Sequence, residues 1–279
     1  MTSVTLEAAP DAWAEQDAWA DRKQFINPAG LEIAYVEISG AEPALVLVHG
    51  FTDTSRSFSL LAPHLSGRRL IMPDLRGHGG SQAGKGYRAA DFADDIAGLI
   101  QRLRLDRPVV VGHSLGGMVS IMLAARHPEL IGGLVILASA LKPNFGPDHQ
   151  LIDGVAALCD PISPADPFYE WWHACEPGVP SAFLAGLAND ASAIPAARWR
   201  AILEEVRRTD LTAAARAVQA PALIIAGGRD PLFGAAHQQA LARALAGSRL
   251  VWAQDCGHNP HWEDPAFVAE AIAGMLPAG

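Results

Sequence analysis

The sequence predicts an α/β fold, with a mostly parallel twisted sheet, helices on both faces and one helical insertion. Short runs rich in valine, isoleucine and leucine alternate along the chain with segments of helical periodicity. Several of those runs are apolar at every position, as expected of strands buried on both faces. The alternation then stops between 141 and 210, where no strand pattern is found.

The chain has 279 residues, half of them hydrophobic, enough for one large domain carrying an insertion. Residues 1–24 read as an N-terminal arm. It repeats Asp-Ala-Trp-Ala at 11–14 and 17–20, which predicts a short helix laying Trp13 and Trp19 on the body, a partner-binding arm being the other reading. Strands are expected at 31–38 (LEIAYVEI), 44–50 (ALVLVHG), 68–74 (RRLIMPD), 108–113 (PVVVGH), 133–139 (GLVILAS), 221–227 (PALIIAG) and 248–254 (SRLVWAQ). Helices are expected at 91–105, 115–130 and 235–247, so 25–140 and 211–279 together form the sheet-bearing core. In the 141–210 segment, Pro143, Pro147, Pro161, Pro164, Pro167, Pro177, Pro180 and Pro195 cut the chain into short helices. SAFLAGLAND and PAARWRAILEEVRRTD are the clearest, with Pro195 placed near a helix start. Such an insertion would form a cap over the carboxyl edge of the sheet, where open α/β sheets bind ligands.

Composition narrows the function classes. The net charge is -9, from 21 basic and 30 acidic residues, and no basic block stands out. That argues against a nucleic-acid partner or an anionic membrane surface. Cys159, Cys175 and Cys256 are an odd, sparse set without a CxxC pair, which argues against a disulfide framework or a zinc site. The N-terminus shows no basic region followed by an apolar one, and no apolar run reaches spanning length, so a cytoplasmic protein is expected. Oligomeric state stays open, with the Trp13/Trp19 arm or the cap as candidate homodimer surfaces.

The chemistry concentrates in VVVGHSLGG, 109–117. A strand runs into a serine flanked by glycines, and a helical pattern follows at once. A sharp strand-to-helix turn lifts a serine above the sheet edge, and its neighbours have little room for side chains, which Gly112, Gly116 and Gly117 provide. Ser114 is therefore the candidate nucleophile rather than one residue of a plain glycine-rich turn. The helix start also aims the Leu115 N–H at the spot where an attacked carbonyl becomes negative.

A serine needs a base, and the base needs an orienting group. Of ten histidines, His49, His78 and His113 lie in turn motifs that suit structural hydrogen bonds, His127 ends a helix, and His149 and His173 lie in the insertion. His258 follows the last strand in QDCGHNPHWEDP and is the candidate base. His261, three residues on, lacks a third ligand nearby and follows Pro260, so no metal site is read there. Asp230 follows the penultimate strand in GGRDP and is the candidate partner of His258. Asp255 is its competitor, read as a cap of the local turn. Phe51, after His49-Gly50 at a strand end, offers a second oxyanion-binding N–H. Gly79, Gly84 and Lys85 mimic a phosphate loop, but Gly86 stands where a serine or threonine is required, so nucleotide binding is rejected.

HGF (49–51), DLRGHGGS (74–81), GHSLGG (112–117), GGRD (227–230) and GHNPHWEDP (257–265) together resemble the α/β-hydrolase superfamily, from about residue 30 onward. The resemblance implies Ser114, His258 and Asp230 as a catalytic triad, and the Phe51 and Leu115 amides as the oxyanion hole. Serine at 114 separates the chain from the haloalkane dehalogenases and epoxide hydrolases, which use aspartate. HGF is neither the HGGPG of proline iminopeptidases nor the HGGG of many lipases. Leu115 stands where haloperoxidase-like members often have methionine.

The implied reaction is hydrolysis of a small to medium, mainly apolar carboxylic ester or lactone through an acyl-enzyme, with no cofactor or metal. C–C hydrolysis of a diketone, or perhydrolysis, would use the same triad, and a ligand receptor that retains the triad is the alternative from another class. PFYEWW (167–172) is dense in rings for a chain with 7% aromatics. Candidate substrate contacts are His113, Phe168, Trp171, Trp172, Phe183 and Phe233, with one of the adjacent tryptophans expected to pack on the core while the other lines the pocket.

Overall fold

The computed structural model describes residues 16 and 18–276, apart from 29, 147 and 177. An eight-stranded sheet forms from β1 (Gln24–Ile26), β2 (Ile33–Ile38), β3 (Ala41–Val48), β4 (Arg68–Pro73), β5 (Val109–His113), β6 (Gly133–Leu137), β7 (Ala222–Gly227) and β8 (Arg249–Ala253). The spatial order is β1-β2-β4-β3-β5-β6-β7-β8. The β1–β2 and β2–β4 pairs are antiparallel, and every later pair is parallel. All the expected strands are present. β1 was not expected, because three residues give too little periodicity to read. β3 begins earlier than expected, before Pro43, at the end of the strand where a missing N–H is tolerated.

The continuous apolar runs have a direct cause. Along β3, Val46 and Val48 face one core, while Leu45 and Leu47 face the other. The same split separates Leu134 and Ile136 from Val135 and Leu137, and Ile224 from Leu223 and Ile225. With both faces covered, neither set can be polar. On the first face lie α1 (Ala89–Arg102) and α2 (Leu115–Arg126). α1 starts earlier than its apolar pattern because the Asp91 carboxylate accepts the Arg88 N–H at 2.9 Å.

Between β6 and β7 the chain forms α3 (Gln150–Ala157), α4 (Phe168–Trp172), α5 (Ser181–Ser192) and α6 (Ala196–Arg208), followed by α7 (Thr212–Ala217). The excursion is closed at its base by the Leu211 N–H, which donates to the Leu141 carbonyl at 2.9 Å. After β7 come α8 (Ala235–Ala244), and after β8, α9 (Pro260–Glu263) and α10 (Pro265–Ala273). Among the described residues no helix is long and apolar enough to cross a membrane.

Trp13 and the first Asp-Ala-Trp-Ala lie outside the described residues. Trp19 opens a short 3-10 turn, is 2% exposed, and donates its indole N–H to Ser55 Oγ at 3.1 Å. Its ring is spent on this chain's own core, so Trp19 is not a free contact for a second copy.

Candidate active site

β5 ends at His113 and α2 begins at Leu115, leaving Ser114 alone to make the turn at φ +52°. A side-chain-bearing residue rarely adopts that conformation, so the surroundings must hold it. The Ser114 N–H donates to the Leu137 carbonyl at 2.9 Å, and the Ser139 hydroxyl donates to the Ser114 carbonyl at 2.7 Å. The flanking glycines are required by contact. A Cβ on Gly112 would lie 2.2 Å from the Gly116 carbonyl oxygen, and one on Gly116 would lie 2.0 Å from that of Val48.

The parallel register brings the other groups to the same edge. His258 follows β8, Asp230 follows β7, and both loops reach back over β5. His258 Nε2 is 3.0 Å from Ser114 Oγ, and His258 Nδ1 is 3.0 Å from Asp230 Oδ2. A carboxylate only accepts, so Nδ1 carries the hydrogen and Nε2 is left to accept the serine proton. Asp230 is itself fixed, because its Oδ1 accepts the Leu232 and Phe233 N–H groups at 2.8 and 3.0 Å. Burial alone would raise the Asp230 carboxyl. The His258 ring and the two amides outweigh it and hold the group below the ordinary carboxylate range. Asp255 does not cap its turn as expected. It is 88% exposed and pairs with Arg229 at 2.8 Å, because its loop points to solvent.

The Leu115 and Phe51 amides have no acceptor among the described residues. Two histidines the sequence marked only as structural set the second of them. His49 Nδ1 donates to the Gly50 carbonyl at 2.8 Å, while its Nε2 accepts the Leu75 N–H at 2.8 Å. In a trans peptide the C=O and N–H point opposite ways, so fixing the Gly50 carbonyl aims the Phe51 N–H. His78 Nε2 meets the next carbonyl, that of Phe51, at 2.6 Å.

Two cavities of contrasting size adjoin the Ser114–His258 pair. A mouth of about 230 Å³ is lined by Trp171, Trp172, Glu176, Arg229, His258 and Glu263, among others. A chamber of about 20 Å³ beside Ser114 is lined by Phe51, Leu115, Phe145, Leu203, Val206 and Phe233 together with other apolar side chains. Both adjacent tryptophans line the mouth. Trp172 also walls the chamber, pinned by its indole N–H donating to Thr52 Oγ1 at 2.7 Å.

Two expected contacts are corrected. Phe183 is fully buried against Leu187 and Trp262, away from the chamber, because α5 turns its apolar side onto the α9 segment. Phe168 lines neither cavity and stacks behind Trp172 at 5.9 Å. Phe145, Leu203 and Val206 line the chamber and were missed. Trp199, Ile202, Leu203 and Val206 do form a helical stripe in the sequence, but that stripe does not say which members meet a ligand. His113 lies behind the base, with Nε2 at 3.0 Å from the His258 carbonyl. His261 points away from His258 to Ser57 Oγ, at 3.0 Å.

A serine, an imidazole and a buried carboxylate in one hydrogen-bonded line are equipment for nucleophilic attack on a carbonyl. Comparison with known proteins agrees with that class. The sequence pattern of the alpha/beta hydrolase family matches residues 45–271. The chain belongs to that family and is a hydrolase. It is 30% identical over 262 residues to a 2-(acetamidomethylene)succinate hydrolase of Mesorhizobium japonicum, covering 87% of this chain and 91% of that one. It is 34% identical over 250 residues to a pimeloyl-(acyl-carrier protein) methyl ester esterase of Aromatoleum aromaticum, covering 82% and 98%. Among solved structures, the enol-lactonase of Burkholderia xenovorans superposes with a TM-score of 0.77 at 25% identity, covering 91% of this chain and all of that one.

Proposed function

We propose that the chain hydrolyses a neutral carboxylic ester or lactone with a short apolar acyl part, through an acyl-enzyme on Ser114. The observation that carries this reading is the Ser114–His258–Asp230 line opening on an apolar chamber. Ser114 Oγ attacks the carbonyl as its proton passes to His258 Nε2. The Leu115 and Phe51 amides receive the oxyanion, Asp230 holds the imidazolium, and His258 then protonates the leaving oxygen. The cap sets the range. A chamber of about 20 Å³ takes only a short apolar group, and a long one requires the cap helices to shift. Glu176 and Glu263 line the mouth, and its one arginine, Arg229, is already paired with Glu176 at 2.9 Å, which favours neutral substrates over carboxylates.

The test is turnover of p-nitrophenyl esters of rising chain length, and of lactones, by native protein and Ser114→Ala. Acetate to butyrate esters should turn over best. Ser114→Ala should lose on the order of 10⁴-fold or more in kcat. Retained turnover in that variant would sink the assignment. A native protein labelled at Ser114 by a fluorophosphonate yet inert to every ester would redirect the search to C–C bonds.

A further inference from the structure

Ser114 borders two small cavities, one almost wholly apolar and one that gathers buried polar groups. Adjoining the apolar chamber at Ser114 and Trp172 is a second cavity of about 20 Å³, lined by Asp53, His113, His173 and Asn259 beside Ser114 and His258. Its polar groups are built into the interior, with Asp53 6% exposed, His113 2% and His173 7%. His113 Nδ1 and His173 Nε2 are buried without a hydrogen-bond partner among the described residues. Such groups are costly to bury unless something satisfies them. His113 Nδ1 and Asp53 Oδ2 face each other at 3.8 Å, too far for a direct hydrogen bond. A Cβ on Gly50 would lie 2.9 Å from each, so glycine keeps that space clear.

The charges follow from burial. Burial pushes the His113 and His173 rings down from their ordinary value, so both are neutral at pH 7. Asp53 resists the upward push of burial and stays below the carboxylate range, because the histidines around it are protonated at the low pH where it would take up a proton. One carboxylate and two neutral imidazoles thus surround a water-sized space. A buried water needs roughly 10–15 Å³ and two to four polar partners, and this cavity supplies both.

We propose that the cavity seats the water that deacylates Ser114, with Asp53 and His173 positioning it for His258. The inference rests on the acyl-enzyme reading above. With the acyl part in the apolar chamber, the ester carbon on Ser114 also borders the second cavity, which Ser114 and His258 line. The water oxygen bonds to the acyl carbon as its proton passes to His258 Nε2, and the carbonyl electron pair moves onto the oxygen held by the two amides. Collapse breaks the bond from carbon to Ser114 Oγ, His258 returns the proton to that oxygen, and the carboxylic acid leaves. One water is consumed and nothing is oxidised or reduced. Asp53 also accepts the Ser57 hydroxyl at 3.1 Å, but neither it nor His173 hydrogen-bonds to Ser114, Asp230 or His258, so they should govern deacylation and leave acylation largely untouched.

The experiment compares native protein with Asp53→Asn and His173→Phe. The second variant keeps an aromatic ring against Tyr169, on which His173 stacks at 5.2 Å, and removes the nitrogens, so it carries the test if the first fails to fold. Labelling of Ser114 by a fluorophosphonate reads the nucleophile without needing water. Steady-state hydrolysis of p-nitrophenyl butyrate reads the whole cycle, and intact mass reads the butyryl adduct. The expected result is labelling within about threefold of native, kcat down by about tenfold or more, and a butyryl adduct accumulating on Ser114. Labelling slowed in step with kcat would mean that the residues merely support the triad. Unchanged kcat would mean that the water comes from elsewhere. Either result overturns the proposal. A native protein that is never labelled at Ser114 would instead remove the acyl-enzyme reading beneath it.

Discussion

The carboxyl edge of the sheet and the cap above it solve different problems. At the edge, Ser114, Asp230 and His258 come from three separate loops, the last two more than a hundred residues after the first, yet each follows the end of a parallel strand. The register of β5 to β8 sets their spacing, and close backbone packing leaves no alternative side chain at Gly112 or Gly116. In the cap, the wall of the chamber comes from Phe145, Leu203 and Val206, which contribute shape and no specific bond. The edge is fixed by geometry that tolerates almost nothing, while the cap is fixed by volume, which many sequences can supply.

The sharpest way to break this contrast is to alter the edge without altering its shape. Asp230→Asn keeps the size of the side chain but turns an obligatory acceptor into a group that can donate, so His258 can settle in the wrong tautomer. We expect kcat to fall by about 10³–10⁴-fold with the unfolding temperature nearly unchanged. Asp255→Asn, at the exposed competitor, should be indistinguishable from native. Equal effects at the two sites would mean that His258 is not oriented by Asp230.

The same contrast explains what the sequence could and could not reveal. Ser114 was legible because a strand, a serine and two glycines in a row satisfy one steric demand. Asp230 and His258 were legible because they follow strand ends. Phe183 misled because an aromatic on an amphipathic cap helix has two apolar destinations, the ligand or the core, and periodicity does not separate them. Asp53 and His173 carry no local signal, and His113 was legible only as a candidate substrate contact beside Ser114. Their common cavity exists only when the β3 loop, the end of β5 and the end of α4 meet.

The scaffolding of the edge centres on a buried carboxylate. Asp74 is fully buried, pairs with Lys23 at 2.7 Å and accepts the Ser55 and Gly80 N–H groups, tying together the loops after β3 and β4. Burial would raise its carboxyl, but Lys23 and the two amides hold it below the ordinary range. A folded value below the unfolded one means the stabilisation is complete above the ordinary carboxylate range, near pH 3.9, and is lost as pH falls through the folded value. Lys23→Met leaves the buried charge partly uncompensated, at a cost of about 3 kcal/mol at pH 7. In denaturant titrations its deficit against native should narrow as pH drops below about 4, since neutralising Asp74 removes what the lysine was compensating. A deficit independent of pH would assign the loss to packing of the lysine stem.

In the cap, effects should be smaller and should fall on selectivity. Leu203→Ala enlarges the chamber and should move chain-length preference toward longer acyl groups, by about tenfold in relative kcat/KM, or about 1.4 kcal/mol. Phe183→Leu should cost about 1–2 kcal/mol of stability and leave that preference alone. A shift in preference with Phe183→Leu would restore Phe183 as a substrate contact.

The smallest effect is expected at the seam between the two regions. Arg229 bridges Glu176 of the cap and Asp255 of the core, but it is 54% exposed, where solvent screens both pairs. As a latch it therefore has little strength, and Arg229→Met should shift Tm by less than about 2 °C. Its charge matters in another way. Without it, the mouth keeps Glu176 and Glu263 and loses the cation that offsets them. Kinetics on a neutral ester should change by less than about twofold, while an ester carrying a carboxylate should lose about threefold in kcat/KM at low salt, a loss that added salt removes. If the neutral ester suffers as much as the charged one, Arg229 is holding the cap in place, and volume alone no longer describes how the cap is fixed.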